Sequence, residues 1–121
     1  MPVAANNYQA VGRRKEAVAR VRLMPGSGML TVNGKPINEV YRGIIAQKAY
    51  QKPFDLTQTL GKFTMSAKVV GGGNASQLQA IVHGIARTLS KVSQDHRDIL
   101  KKAGLLTRDA RVRQRRKVGM G

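Results

Sequence analysis

The side chains able to perform acid–base or metal chemistry are few and scattered. The 121-residue sequence contains two histidines, six carboxylates and no cysteine. A catalytic or metal site needs several such groups at defined spacing, whereas His83 and His96 are predicted to lie on separate helices, facing solvent or phosphate. Each carboxylate lies within a few residues of a basic side chain, which favours ion pairing: Glu16, Glu39, Asp55, Asp95, Asp98 and Asp109. The sequence therefore predicts no enzyme, no metal site and no cofactor.

Two nucleotide-related interpretations fail on residue type. Gly61-Lys62 resembles the end of a P-loop, but Leu56 stands where the first glycine is needed and Phe63 where the hydroxyl is needed. A phosphotransferase built on a different glycine-rich stretch would need a metal-binding carboxylate pair and a base near Ser76. The sequence offers neither of them.

Three consecutive glycines offer another kind of chemistry, the binding of an anion by main-chain N–H groups. Gly71, Gly72 and Gly73 follow a predicted strand, and residues 74–76 (Asn-Ala-Ser) lead into a predicted helix. Free N–H groups and the positive end of the helix dipole favour a phosphate at such a point. A flexible turn, in which glycine only permits unusual backbone angles, explains the spacing equally well. The charge of the chain favours the phosphate.

That charge is large, because 22 Lys and Arg against six Asp and Glu leave a net charge of +16. Solubility does not require so much, so the partner is predicted to be a polyanion. The basic residues form three clusters: one at Arg13–Lys15 with Arg20 and Arg22, one in the helical row His83, Arg87 and Lys91, and one over residues 108–117. Clusters on most elements of the fold suit a protein surrounded by folded RNA better than one groove-reading helix.

Recognition is predicted to involve mainly phosphates and shape, because the chain has only two Phe, three Tyr and no Trp for base stacking. The candidate RNA-binding residues are Arg13, Arg14, Lys15, Arg20, Arg22, Gly71, Gly72, Gly73, Asn74, Ser76, Gln77, His83, Arg87, Lys91, Arg108, Arg111, Arg113, Arg115, Arg116 and Lys117.

The elements that must position these residues begin with a predicted hairpin. From residue 17, apolar and basic side chains alternate as in a half-buried strand, which places Arg20 and Arg22 on the exposed face. Residues 25–28 (Pro-Gly-Ser-Gly) predict a turn into a second strand over 29–32, and Asn33-Gly34 predicts a tight hairpin turn.

A helix capped by Asn38 and ending before Pro53 is predicted from an apolar stripe: Val40, Tyr41, Ile44, Ile45 and Ala49.

A third strand and two helices follow. Residues 62–69 alternate strictly between polar and apolar, so the face with Lys62, Thr64, Ser66 and Lys68 must be exposed or bound. Apolar residues at helical spacing from 78 to 92 predict a long helix whose opposite side has the row at 83, 87 and 91. Ser93 is predicted to cap a short helix that ends before Gly104.

The predicted organisation is a flexible segment over residues 1–12, a single α+β domain over 13–104 and an extended basic tail over 105–121. The first segment has no charged side chain and no apolar run, so it fits neither a signal nor a transit peptide. The tail has six Lys or Arg and one acid without a sustained period. No apolar run approaches a membrane span, and a cytoplasmic location is predicted. The element order predicts a two-layer sandwich of a small sheet and helices.

Three segments have distinctive sequences: Gly12-Arg13-Arg14-Lys15-Glu16-Ala17-Val18-Ala19-Arg20-Val21, the stretch from Gly71-Gly72-Gly73 through Ser76-Gln77 and Ala80 to Gly84-Ile85-Ala86-Arg87, and Leu106-Thr107-Arg108-Asp109-Ala110-Arg111. These segments resemble the family of the ninth protein of the bacterial small ribosomal subunit. They occur in family order and span residues 12–111. A DNA-compacting protein would have the same charge and the same lack of catalytic groups, but it would not explain these motifs.

The resemblance implies a fold like the second domain of ribosomal protein S-five, with a left-handed β-α-β crossover against the usual hand. It also implies binding to the head of the small subunit through the 3′ domain of its RNA, contacts with neighbouring head proteins, and support of assembly and translation on the ribosome. Gln114 stands where members often have an acid. Members usually continue beyond the position of Gly121 in a basic tail that approaches the peptidyl-site tRNA. No residue here matches that tail, so either the sequence is truncated or this member lacks the tRNA contact.

Overall fold

The computed structural model describes residues 7–106, and its chain begins with a hairpin. Strand β1 (Tyr8–Arg14) pairs antiparallel with β2 (Ala17–Pro25), and a two-residue turn with Lys15 at φ 57° joins them. The prediction of a flexible segment over residues 1–12 is therefore wrong for residues 8–12, while residues 1–6 lie outside the described part. The strand was missed because its sequence, Tyr-Gln-Ala-Val-Gly-Arg-Arg, has no clear alternation of apolar and polar residues.

A second hairpin confirms the turn predicted at Asn33-Gly34. Strands β3 (Leu30–Val32) and β4 (Lys35–Pro36) pair antiparallel, and the two turn residues have φ values of 52° and 85°. Positive φ at both positions is the geometry that asparagine and glycine tolerate best. The Asn33 side chain also donates to the carbonyl of Val69 (3.2 Å) and accepts from its N–H (3.0 Å). Asn33 thus ties the turn to a strand that lies much later in the chain.

The predicted single helix after this hairpin is wrong, because the chain forms two helices, α1 (Ile37–Val40) and α2 (Ile44–Leu56). The break is at Gly43, whose φ of 99° is not helical, and neither helix is capped by Asn38. This break changes which side of the second helix faces the core, so Ile44 and Ile45 are exposed. Pro53 lies inside α2 instead of after it. Its ring is buried in the last turn, where packing offsets the lost hydrogen bond.

Strand β5 (Phe63–Val70) lies in the middle of the sheet. The strand order is β1-β2-β5-β3-β4, with β5 antiparallel to β2 and parallel to β3. The predicted hairpin between β2 and β3 is therefore wrong. The residue types at 25–28 indicated a change of chain direction but not which strands pair. Both ends of that connection bond to β5 or to the residue before it: the N–H of Gly26 donates to the carbonyl of Lys62 (3.1 Å), and the N–H of Met65 donates to the carbonyl of Met29 (2.9 Å).

The last two helices confirm their predictions. Helix α3 (Asn74–Val92) buries its apolar stripe, and Ser93 caps α4 (Gln94–Lys102) by accepting a hydrogen bond from the N–H of His96 (3.2 Å). Gly104, at φ 82°, ends α4: its N–H donates to Lys101 (3.1 Å), and that of Leu105 donates to Leu100 (3.0 Å). These two bonds form a Schellman motif, which explains the glycine.

One face of the sheet is buried beneath the helices, and the other is exposed. The buried face and α3 share an aliphatic core. Helix α3 approaches β1 and β2 closely: a Cβ on Gly12 of β1 would lie 2.0 Å from the carbonyl oxygen of Ala80, and one on Gly84 would lie 2.6 Å from the side chain of Val21 in β2. The exposed face is defined by Arg20 and Arg22 of β2 and Ser66 and Lys68 of β5, and we call it the open face. None of the helices within residues 7–106 is long and apolar enough to span a membrane.

Candidate nucleic-acid interface

The glycine loop, residues 71–73, joins β5 to α3 and packs on the β1–β2 turn. Gly71 and Gly72 have φ values of 80° and 67°, in the region that favours glycine. A Cβ on Gly71 would lie 2.3 Å from the carbonyl oxygen of Glu16, whereas Gly73 has φ −99° and open space around it. Backbone geometry therefore explains the first two glycines but not the third.

Gly73 is the N-cap of α3, and no side chain caps this helix end. The next residues, Asn74 and Ala75, are exposed. The first N–H groups of a helix have no intrahelical partner, so the first turn of α3 presents donors to the outside of the protein. This is the geometry expected of an anion site, and it involves the predicted residues Gly73, Asn74 and Ser76.

Gln77 holds the glycine loop in place. Its amide nitrogen donates to the carbonyl of Gly71 (3.1 Å), and its amide oxygen accepts from the hydroxyl of Tyr41 (3.1 Å). Burial raises the pKa of the Tyr41 hydroxyl, so this group stays a neutral donor. The side chain of Gln77, predicted as an RNA-binding residue, is thus engaged within the protein.

The first basic cluster divides between the two faces of the sheet. Arg20 and Arg22 are on the open face, as predicted, and both are exposed. Arg14 pairs with the buried Ala17, is half-buried and lines a groove of about 700 Å³ between α2 and α3. Lys15 is exposed in the β1–β2 turn, next to Arg13 at the end of β1.

The helical row His83, Arg87 and Lys91 is not a free polar surface. His83 is only 8% exposed, so the prediction that it faces solvent or phosphate is wrong. Arg87 donates to the carbonyl of Val11 (2.6 Å), and Lys91 donates to that of Gln9. This side of α3 was predicted to be free because β1, which it contacts, had not been predicted.

Sequence reasoning did not place Gln9, Ser66 and Lys68 beside the basic residues of β2. Gln9 pairs with Arg22, Arg22 with Ser66, and Arg20 with Lys68. Together they line a concavity of about 690 Å³ that also reaches Arg87 and Lys91. The alternation in β5 had shown that Ser66 and Lys68 were exposed or bound, but only the pairing of β5 with β2 brings them to this surface.

The remaining predicted residues, Arg108, Arg111, Arg113, Arg115, Arg116 and Lys117, lie outside the described residues. Over the described range, no group of three His, Cys, Asp or Glu side chains could hold a metal ion. The site is therefore a set of basic side chains and main-chain donors on a small α+β domain, which is chemistry suited to binding phosphates.

Comparison with known proteins agrees with this class. Residues 12–121 match the family model described as "Ribosomal protein S9/S16". The curated "Small ribosomal subunit protein uS9" of Maridesulfovibrio salexigens is 52% identical over 113 residues, which cover 93% of this chain and 86% of the relative. These matches place the basic α+β domain in the class of ribosomal proteins. The chain belongs to the ribosomal protein S9/S16 family.

Membership confirms the family that the three motifs indicated, together with its role in the ribosome. The protein is a structural constituent of the small ribosomal subunit, it acts in translation, and it is not an enzyme. Its partners are small-subunit ribosomal RNA and other ribosomal proteins.

Proposed function

We propose that this protein binds the 3′ domain of small-subunit RNA in the head of the subunit, mainly through phosphate contacts, and so supports assembly in the cytoplasm. The distribution of charge is the main support. The described strands contain no acidic residue, while the whole chain has a net charge of +16. Such a surface attracts a polyanion along its length, and each phosphate neutralised releases counterions.

The phosphate-binding residues in this proposal are on two surfaces and in the C-terminal segment. Arg13, Lys15, Arg20 and Arg22 are exposed on the first hairpin, and Arg14 lies beside them. The main-chain N–H groups of residues 73–76 at the start of α3 bind a further phosphate. The basic residues between 108 and 117 add contacts beyond the domain that spans residues 13–104, with β1 extending it to residue 8.

The finer fold assignment is also part of the proposal. The observed order, with a parallel β3–β5 pair joined through β4, α1 and α2, is consistent with a domain like the second domain of ribosomal protein S-five. We propose that its β-α-β crossover is left-handed, against the usual preference. Neighbouring head proteins would complete the set of partners.

Salt-dependent binding to transcripts of the separate RNA domains tests the proposed function. We expect the chain to prefer the 3′ domain to the 5′ domain, and log K to fall with log salt concentration with a slope of several units. A slope near zero would contradict the phosphate mechanism. Equal affinity for both domains at every salt concentration would contradict the location in the head.

A further inference from the structure

The open face combines basic charge with an absence of neutralising groups. Arg20 of β2 lies directly opposite Lys68 of β5. Like charges directly opposite each other on a sheet destabilise it. None of the five described strands contains an acidic residue that could offset this repulsion. The arrangement costs stability in the isolated protein, and a bound anion would remove that cost.

The spacing of the charges suits a chain of anions better than a single one. Arg20 and Arg22 point to the same face two residues apart, at about 6.6 Å along the strand. Lys68 lies directly across from Arg20, with the two Cβ atoms about 5 Å apart. Ser66 and Gln9, which pair with Arg22 on either side, add a hydroxyl and an amide. These three cations and two neutral hydrogen-bonding groups therefore line one concave surface, which also reaches Arg87 and Lys91.

The open face has no aromatic ring. Besides Arg13, which pairs with Val18 at the end of β1, its remaining residues from β1, β2 and β5 are aliphatic or small and polar: Val11, Val18, Met24, Thr64 and Val70. Proteins that hold single-stranded RNA on a sheet stack its bases on aromatic side chains. This face can contact a sugar–phosphate backbone but cannot stack bases. Double-helical RNA, which presents its backbone and 2′-hydroxyl groups, fits these residues.

We propose that the open face docks the backbone of a double-helical segment of ribosomal RNA. Arg20, Arg22 and Lys68 contact successive phosphates, and Ser66 and Gln9 hydrogen-bond to phosphate or 2′-hydroxyl oxygens. This inference rests on the proposed function, and it adds both a surface and a class of RNA structure. It also assigns a binding role to Lys68, which has no place among the residues predicted from the sequence.

The test compares two double variants in the full-length chain. In the first, Arg20→Gln and Lys68→Gln remove two charges from the open face. In the matched control, Lys48→Gln and Lys52→Gln remove two charges from exposed positions of α2. Binding is measured against small-subunit RNA over a range of salt, and against a short RNA duplex and oligouridine with equal numbers of phosphates.

We expect the open-face variant to bind small-subunit RNA at least about tenfold more weakly than the wild type, with a salt slope reduced by about two. The control should keep most of its affinity. The wild type should prefer the duplex to oligouridine, and the open-face variant should lose that preference. Its thermal midpoint should equal or exceed that of the wild type, because the Arg20–Lys68 repulsion is gone.

Four outcomes would overturn the inference: wild-type affinity in the open-face variant, an equal loss in the control, equal binding of oligouridine and duplex by the wild type, or a lower thermal midpoint in the open-face variant. The proposed function has a separate criterion. It fails if the wild type itself shows no salt-dependent binding to small-subunit RNA, whereas the inference fails when that binding is normal and the open face does not contribute.

Discussion

Arg87 of α3 donates a hydrogen bond of 2.6 Å to the main-chain carbonyl of Val11 in β1. Lys91, one turn later, does the same to Gln9. Residues four apart on a helix are about 6 Å apart along its axis, and alternate carbonyls of a strand are about 6.6 Å apart. The two repeats match, so α3 supplies donors to the free edge of β1. An exposed edge strand is otherwise available for unwanted pairing.

Removing the Arg87 donor should therefore lower stability. We expect Arg87→Met, which keeps the aliphatic stem, to lose about 1 kcal/mol of unfolding free energy because a carbonyl of β1 loses its partner. Urea denaturation measures the change. Lys48→Met, at an exposed position of α2, serves as the control and should unfold like the wild type. Unchanged unfolding of the Arg87 variant would show that the edge does not need the contact.

Gly73 offers a test of the phosphate site at α3 that does not disturb the loop, because its φ is −99° and a Cβ there meets no atom within 4 Å. Aspartate and asparagine both cap helices, so both variants should gain roughly 0.5 kcal/mol of stability. Only Gly73→Asp places negative charge where the phosphate is proposed. We expect it to weaken RNA binding at least about fivefold, as ~1 kcal/mol of repulsion would.

Gly73→Asn is the uncharged partner of that variant and should bind RNA nearly as the wild type does. Filter binding and thermal melts of the pair separate charge from capping. If Gly73→Asp binds RNA as tightly as Gly73→Asn, no phosphate lies at the start of α3, and the glycine loop is only a turn.

The close approach of α3 to β1 predicts a large effect at Gly12. A Cβ there would lie 2.0 Å from the carbonyl oxygen of Ala80 and 2.4 Å from the nitrogen of Gly84, both of them main-chain atoms. We expect Gly12→Ala to destabilise the protein by about 2–3 kcal/mol, because the helix must move away from the sheet. Gly73→Ala is the matched control and should have no such cost. Similar melting of the two variants would contradict the packing.

Tyr41 should contribute to stability in a way that depends on pH. Tyr41→Phe removes the hydrogen bond to Gln77, and we expect it to cost about 1 kcal/mol at neutral pH. Because burial raises the pKa of the hydroxyl above its usual 10.0, the unfolded chain releases this proton first. The stabilisation is therefore full below pH 10 and is lost as pH rises through the folded pKa. Denaturation of both proteins from neutral to alkaline pH should show their difference shrinking; a constant difference would argue against this role.

Local signals in the sequence were sufficient for elements that depend on nearby residues. The strict alternation of residues 62–69 and the stripe from Ile81 to Leu89 predicted β5 and α3, since each period reports one buried face. The turn at Asn33-Gly34 and the ends of α4 at Ser93 and Gly104 were predicted because backbone angles and caps are local properties.

Pairing between distant segments could not be predicted in the same way. Nothing in residues 25–32 indicates that β5 will separate β2 from β3, because that choice depends on burial across the whole sheet. For the candidate RNA-binding site, too, local features were predicted and long-range pairing was not. Arg20 and Arg22 were correctly predicted to be exposed, but their position beside Lys68 depends on the register between β2 and β5. His83 is buried by elements that pack around α3, and the spacing of His83, Arg87 and Lys91 within the helix could not indicate this packing.

The central position of β5 has a consequence for the order of events during synthesis. Each hairpin, β1–β2 and β3–β4, is closed by a two-residue turn, so both can form as soon as their residues emerge. Joining them requires β5, and the Asn33–Val69 contact spans 36 residues. Closing a loop of that length costs more conformational entropy than closing a two-residue turn. Lys68 reaches Arg20 only after residues 63–70 have left the exit tunnel, so a nascent chain can form either hairpin before it can complete the open face.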